Sequence, residues 1–298
     1  MGLKNFFWIF FLALLIGSSF LFIKIAVPEI PPFTLVTLRV GISAVILYIF
    51  LIAQGYRLFQ FVGLWKHAAI LAVIQTALPY LLISWGELHV DSAIAAIIHG
   101  TMPLFTIVLA HFFTEDDRLT VMKVIGTFIG FGGLILLVVP SLFNGIQINL
   151  LGLLAITFAS LSFSGTILYS RKYLRGFPHS VVPTAGYFLS TLYLLPFSLW
   201  IEHPFSLPIP SFEAIGSLLA LSILSTALAS LVFFHIIEHL NATSVSMTSY
   251  LAPLIGAILG VVVLNEQLTW NTYVGGIFVI VGVITIHGTF KFMRKFQR

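Results

Sequence analysis

The sequence predicts an all-α membrane protein: ten transmembrane helices built as two inverted five-helix repeats. Three observations carry this expectation. Of the 298 residues, 59% are hydrophobic and only 8% charged, against about 25% charged in a soluble domain. Apolar runs of about 20 residues, the length that crosses a bilayer, recur along the whole chain. The cations are distributed one-sidedly between those runs, and the chain matches itself at an offset of 150 residues.

Taken in order, the spans are expected at 5–27, 32–54, 67–87, 92–113, 119–140, 149–171, 180–201, 213–237, 242–264 and 270–290. The first begins MetGlyLeuLys and resembles a secretory leader. Its apolar core is too long, and no small-x-small cleavage site follows it, so it reads as an uncleaved span. Turn and charge signals mark the breaks: ProGluIleProPro at 28–32, GluAspAspArg at 115–118 and ProPheSerLeuProIlePro at 204–210.

Orientation follows from charge. With the N-terminus inside, Lys4, Arg57, Lys66, Arg118, Lys123, Arg171, Lys172, Arg175, Lys291, Arg294, Lys295 and Arg298 all fall on the cytoplasmic side. The outer loops carry Glu29, Glu87, Asp91, Glu202 and Glu266 and neither Lys nor Arg. This is the positive-inside pattern, and it places both termini in the cytoplasm of a cell that carries the protein in its inner membrane.

The repeat superposes HVDSAIAAIIHGTMPLFTIVLAHFF (89–113) on HLNATSVSMTSYLAPLIGAILGVVV (239–263). Asp91 falls on Asn241, His99 on Ser249 and Pro103 on Pro253; after a one-residue slip, Gly126 falls on Gly275 and Gly133 on Gly282. The two units are 1–143 and 144–298. Five spans are an odd number, so the second unit enters the membrane from the opposite side. That construction places a substrate site near the midplane between the halves.

Several chemistries are excluded. There is no cysteine, hence no disulfide or thiolate. There is no phosphate-binding loop, and SerPheSerGly at 162–165 lacks the first glycine of a nucleophile elbow. No catalytic set, metal site or cofactor is expected, and the net charge of +4 sits in loops rather than in a nucleic-acid-binding face.

Candidate pathway residues are polar groups inside spans, because such groups are costly in lipid unless they face the bundle interior. Span four offers His99 and Thr106, with Pro103 between them; span nine offers Ser246 and Ser249, with Pro253 following. Span three adds Gln75 and Tyr80, span six Ser164 and Tyr169, and span eight Ser230. A mid-span proline removes a backbone hydrogen bond and bends its helix, so Pro103 and Pro253 form a duplicated kink or gate element. His99 reads equally as a histidine bonded to a neighbouring helix. Gly126-x3-Gly130 is a helix-packing motif. His235, Glu238 and His239 form an interfacial polar end rather than a metal site. Lys24 and Arg39 break the charge bias, both toward the outer side. Arg39 lies nearly two turns inside span two, where a structural charge paired with a carboxylate or a helix C-terminus is expected. Lys24 lies close enough to the boundary to snorkel, or to attract carboxylate-bearing substrates at an outer cavity mouth.

GSSFLFIK in span one, the runs ending Pro103-Leu104 and Pro253-Leu254, and AsnGluGlnLeuThr (265–269) followed by ValGlyGlyIlePheValIleValGly resemble the drug/metabolite transporter superfamily, EamA type. The resemblance implies a secondary transporter working by alternating access, usually an exporter of amino acids or related zwitterionic or amphipathic metabolites. Uptake or exchange of a nucleoside-like metabolite is the alternative. A non-transporting scaffold or lipid-modifying protein is the alternative of another class. The expected partners are a small-molecule substrate and the lipid bilayer, with the chain acting as a monomer or homodimer.

Overall fold

The computed structural model describes residues 3–90, 95, 98–114, 119–143, 150–252, 254–255, 270, 274–282 and 284–286. Among them there is no strand. Helices α1 (Leu3–Ala26) and α2 (Pro32–Ala53) come first. Helix α3 runs from Trp65 to His89, α4 is Met102–Phe113, α5 Val121–Phe143 and α6 Leu150–Tyr173. Helix α7 is Val181–Phe197, α8 runs from Phe212 to His239, α9 is Ala242–Ser246 and α10 is Val274–Ile286. Among the described residues six stretches are long and apolar enough to cross a membrane: Asn5–Ala26, Pro32–Ala53, Val62–His89, Leu150–Tyr173, Val181–Glu202 and Phe212–His239. The helices Met102–Phe113, Val121–Gly133 and Val274–Ile286 are apolar but shorter.

The expected span at 92–113 is interrupted. A turn at Gly100–Thr101 separates the helical residues Ile98 and His99 from α4. The hydroxyl of Thr101 donates to the Ile98 carbonyl at 2.6 Å, and the Leu104 amide donates to Thr101 at 2.9 Å. Pro103 therefore sits in the first turn of α4, where its missing N–H is one that a helix start leaves unpaired anyway, rather than in mid-helix. In the other half, α9 ends at Ser246 and a turn at Met247 precedes the helical residues 248–252. Pro253 lies outside the described residues.

Wide, π-type turns occur in α3 at Ala72–Ala77, in α8 at Ile223–Leu228 and at the end of α7 over Ser198–Glu202. Such turns leave carbonyls short of a partner, and hydroxyls from neighbouring helices supply it. Ser162 and Thr166 donate to the Ile74 carbonyl at 2.6 and 3.1 Å, and Ser190 donates to Ala72 at 3.0 Å. Ser43 donates to the Ser222 carbonyl at 2.8 Å.

The most extensive helix contacts are those of α1 with α8, α2 with α7 and α3 with α6. Helices α5 and α10 meet through glycines. A Cβ on Gly133 would lie 2.6 Å from the Gly275 carbonyl, and one on Gly282 would lie 2.6 Å from the Gly126 carbonyl. Small residues let backbones approach this closely, so the glycine motif of α5 is a packing surface. Phe7, Val45, Ile49, Phe128, Phe158 and Ile277 point outward and are exposed, as lipid-facing positions should be. Hydroxyls fill the interior instead: Ser43, Thr106, Ser160, Ser164, Ser190, Thr226, Ser246 and Ser249 are all buried.

Two acidic side chains fasten the ends that the charge pattern assigns to the outside. Glu202 accepts the amides of Phe33 (2.9 Å) and Thr34 (2.6 Å) at the start of α2. Glu29 accepts the amide and hydroxyl of Ser211, both at 2.7 Å, at the start of α8. At the opposite end Gln54 accepts from Ser180 at the start of α7 (2.5 Å), and His179 lies 3.5 Å from Glu238. The His235 ring lies there edge-on to His179 and tilted against Trp8 and His239.

Candidate functional site

A central cavity of about 110 Å³ is lined by side chains from α1, α2, α3, α6, α7 and α8, together with His99, Met102, Val245, Thr248 and Ser249. Its walls are divided by chemistry. Leu12, Ile16, Phe20 and Ile23 of α1 and Phe163 and Ile167 of α6 make an apolar side. Arg39, Gln75, Tyr80, Tyr187, Ser225 and Thr226 form the polar part, to which His99, Thr248 and Ser249 add.

Arg39 is 4% exposed. Its Nε donates to the Thr226 hydroxyl at 2.6 Å, and its guanidinium lies 3.8 Å from the centre of the Tyr80 ring. The carboxylate or helix C-terminus expected to pair with it is not what holds it: a hydroxyl on the wide turn of α8 and an aromatic face do. A guanidinium is weakly hydrated and stacks well on rings, so this setting tolerates it without an ion pair. Thr226 is available because it lies in that wide turn, where its hydroxyl also donates to the Leu221 carbonyl at 2.8 Å.

His99 sits edge-on between Phe20 (5.8 Å) and Phe163 (5.6 Å), with Nε2 3.4 Å from the Ser249 hydroxyl. These two residues are 150 apart, so the positions that superpose in the repeat also touch.

Of the candidates read from sequence, Gln75, Tyr80, His99, Ser230, Ser249 and Arg39 are on the cavity wall. The others are elsewhere. Thr106 and Ser164 are buried and both donate to the Met102 carbonyl, at 2.9 and 3.0 Å. Ser246 is spent on the Thr243 carbonyl (2.9 Å), and Tyr169 bonds His67 at 2.7 Å. Lys24 is exposed, with Nζ 3.4 Å from the Glu87 carbonyl oxygen. Wall residues that the sequence did not single out are Phe20, Phe163, Tyr187 and Thr248. Nothing in composition or spacing distinguishes an aromatic on the cavity from one on the lipid face. Glu87, placed in an outer loop by its position, is 1% exposed, and neither carboxylate oxygen has a hydrogen-bond partner. It feels the charges of Lys24 and Arg39 from behind the wall.

A helical bundle with apolar outer faces around a mainly apolar cavity that carries a few polar groups, with no cluster of metal-ligating side chains among the described residues, defines the class: a membrane-spanning helical protein. The sequence profile of the EamA-like transporter family matches twice, over residues 3–139 and 150–287. The chain belongs to that family, within the drug/metabolite transporter superfamily. It is 27% identical to the uncharacterized transporter YoaV of Bacillus subtilis, covering 94% of each chain. It is 27% identical to an uncharacterized transporter of Archaeoglobus fulgidus, over 90% of this chain and 91% of that one. It is 24% identical to the uncharacterized inner membrane transporter YedA of Escherichia coli, over 96% and 92%. One crystal structure superposes with a TM-score of 0.75 at 20% identity, covering 93% of this chain and 94% of its own; that likeness concerns the fold.

Proposed function

We propose that this protein is a secondary transporter that carries a small amphipathic metabolite, amino acids and related zwitterions being the class implied by the family likeness, through the central cavity by alternating access. Export from the cytoplasm is the direction the same likeness favours. The single observation that carries the reading is the cavity: a mainly apolar and aromatic chamber with a few polar groups, walled by helices from both parts of the chain. The proposed framework is ten spans in two halves of opposite orientation, 1–143 and 144–298, in an inner membrane with both termini cytoplasmic.

Reciprocal contacts support that framework. His99 touches its counterpart Ser249. Gly133 meets Gly275 while Gly126 meets Gly282, so each glycine pairs with the other's counterpart, as across a twofold axis. Helix α1 packs on α8 as α6 packs on α3, and wide turns occur in α3 and α8 at nearly the same offset.

The test is flux of labelled metabolites in proteoliposomes, with and without a pH gradient. Saturable, orientation-dependent flux above protein-free vesicles is expected. Absence of flux across a panel of amino acids, amphipathic acids and nucleosides removes the reading.

A further inference from the structure

We propose that the cavity is a receptor for the carboxylate of a small monoanion with an apolar tail, Arg39 being the group that binds it. The proposal rests on the transport reading above and narrows its small amphipathic metabolite to a simple carboxylate, setting aside the zwitterions that the family likeness implies.

Arg39 is the one Lys or Arg on the wall, and no Asp or Glu lines the cavity among the described residues. Among the described residues only Nε of Arg39 makes a protein hydrogen bond. Its two terminal amino groups make none there, yet they are not sealed off as the oxygens of Glu87 are, and the residue lines the chamber. The Thr226 bond and the stacking on Tyr80 fix the plane of the fork without occupying its outward edge. That edge has the two-pronged geometry that matches a carboxylate.

An unpaired guanidinium away from bulk water is costly, and the nearest candidate counter-charge, Glu87, stands behind the wall without an ion pair to it among the described residues. A carboxylate arriving in the cavity completes the arrangement. The opposite wall, with Leu12, Ile16, Phe20 and Phe163, suits a short aliphatic or small aromatic tail. A cavity of about 150 Å³ accommodates benzene, so 110 Å³ fits a tail of a few carbons beyond the acid group. An ammonium group would find hydroxyls and ring faces but no carboxylate. The zwitterion is therefore disfavoured against the simple anion of the same tail.

The test is a head-group series on one tail, using purified full-length protein: isovalerate, 4-methyl-2-oxopentanoate, leucine, isovaleramide and isoamylamine, with affinity read by calorimetry. The two carboxylate anions should bind at least tenfold more tightly than the amide, the amine and leucine, the scale of one charge-assisted hydrogen-bonded contact. Arg39→Gln should erase that difference while leaving the weak binding of isovaleramide unchanged. Thr226→Val, which keeps the charge and releases the fork, should reduce carboxylate affinity by less. The wild-type series needs no variant to fold. Equal or tighter binding of the amide, amine or leucine, or no binding of any member, overturns the proposal. If vesicles carry other solutes while carboxylates show no preference, the substrate class falls and transport stands. If carboxylates bind but nothing crosses the membrane, the transport reading falls and the site stands.

Discussion

Replacing Gly133 by Ala should loosen the protein, although alanine is the better helix former. The new Cβ would lie 2.6 Å from the Gly275 carbonyl oxygen, 2.7 Å from the Val279 nitrogen and 2.8 Å from the Phe278 Cβ. Two of these are backbone atoms of α10 and cannot turn aside. Carbon and oxygen ordinarily come no closer than about 3.3 Å, so the helices must separate by about 0.7 Å, enough to forfeit a quarter to a half of the dispersion energy along the seam. Overpacking of this kind costs about 1–3 kcal/mol, set against a helix-propensity gain of about 1 kcal/mol. Gly132 is the internal control. It is next in sequence and on the same helix, and a Cβ there meets nothing within 4 Å. The propensity gain is common to both variants and cancels in the comparison. Gly133→Ala should therefore be less stable than Gly132→Ala by about 1–3 kcal/mol. Thermal unfolding of the purified proteins in detergent, followed by tryptophan fluorescence, reads the difference. A Gly133→Ala protein that unfolds at or above the midpoint of Gly132→Ala would show that α5 and α10 do not cross at these glycines.

Glu202→Ala strands the amides of Phe33 and Thr34 at the start of α2 and should cost about 1 kcal/mol, the usual value of a lost helix cap; equal unfolding midpoints would refute it. The Glu29 carboxyl is held below the ordinary value of 4.5 by the amide and then the hydroxyl of Ser211. A lowered value means that the fastening is complete above pH 4.5 and is lost as pH falls through the lower, folded value. Hydrogen exchange of the Ser211 amide should thus be slower in the wild type than in Glu29→Gln at pH 7, and equal in the two at strongly acid pH; a constant ratio throughout would contradict it. In this cysteine-free chain, Ser249→Cys should react with a small water-soluble thiol reagent and be protected by a transported solute. Ser246→Cys, off the cavity wall, should stay inert. Reaction of both at one rate would place the wall elsewhere.

Much of the architecture is legible in the sequence because lipid imposes simple rules. Long apolar runs mark α1, α2 and α6; the offset of 150 relates His99 to Ser249, and the same offset less one residue relates the glycines of α5 to those of α10. Those are matters of length and spacing. What the sequence does not reveal depends on which way a side chain turns. Thr106 and Ser164 have the composition of pathway residues, but their hydroxyls satisfy the Met102 carbonyl. Tyr187 reaches the cavity by the rotation of α7, which its neighbours in sequence do not encode. Glu87 lies near a span boundary, where exposure is the natural expectation, yet it is buried in the structure, beside the close packing of α3 on α6 at Gly86 and Ile156. The break at Gly100–Thr101 carries its own signal, a glycine followed by a threonine able to bond back to Ile98, but it is masked by the unbroken apolar character around it.

The wide turn in α3 divides one span into two segments with separate allegiances. Before it, Trp65–Leu71 leans on α7; after it, Leu78–His89 leans on α6. Each residue of a helix advances about 100° around the axis, so the surplus residue held in the wide turn acts as an angular offset between the two segments. Deleting one residue between Ala72 and Ala77 would leave a more regular helix whose upper and lower faces no longer point at their own neighbours. The irregularity is what allows a single helix to serve two different walls of the chamber.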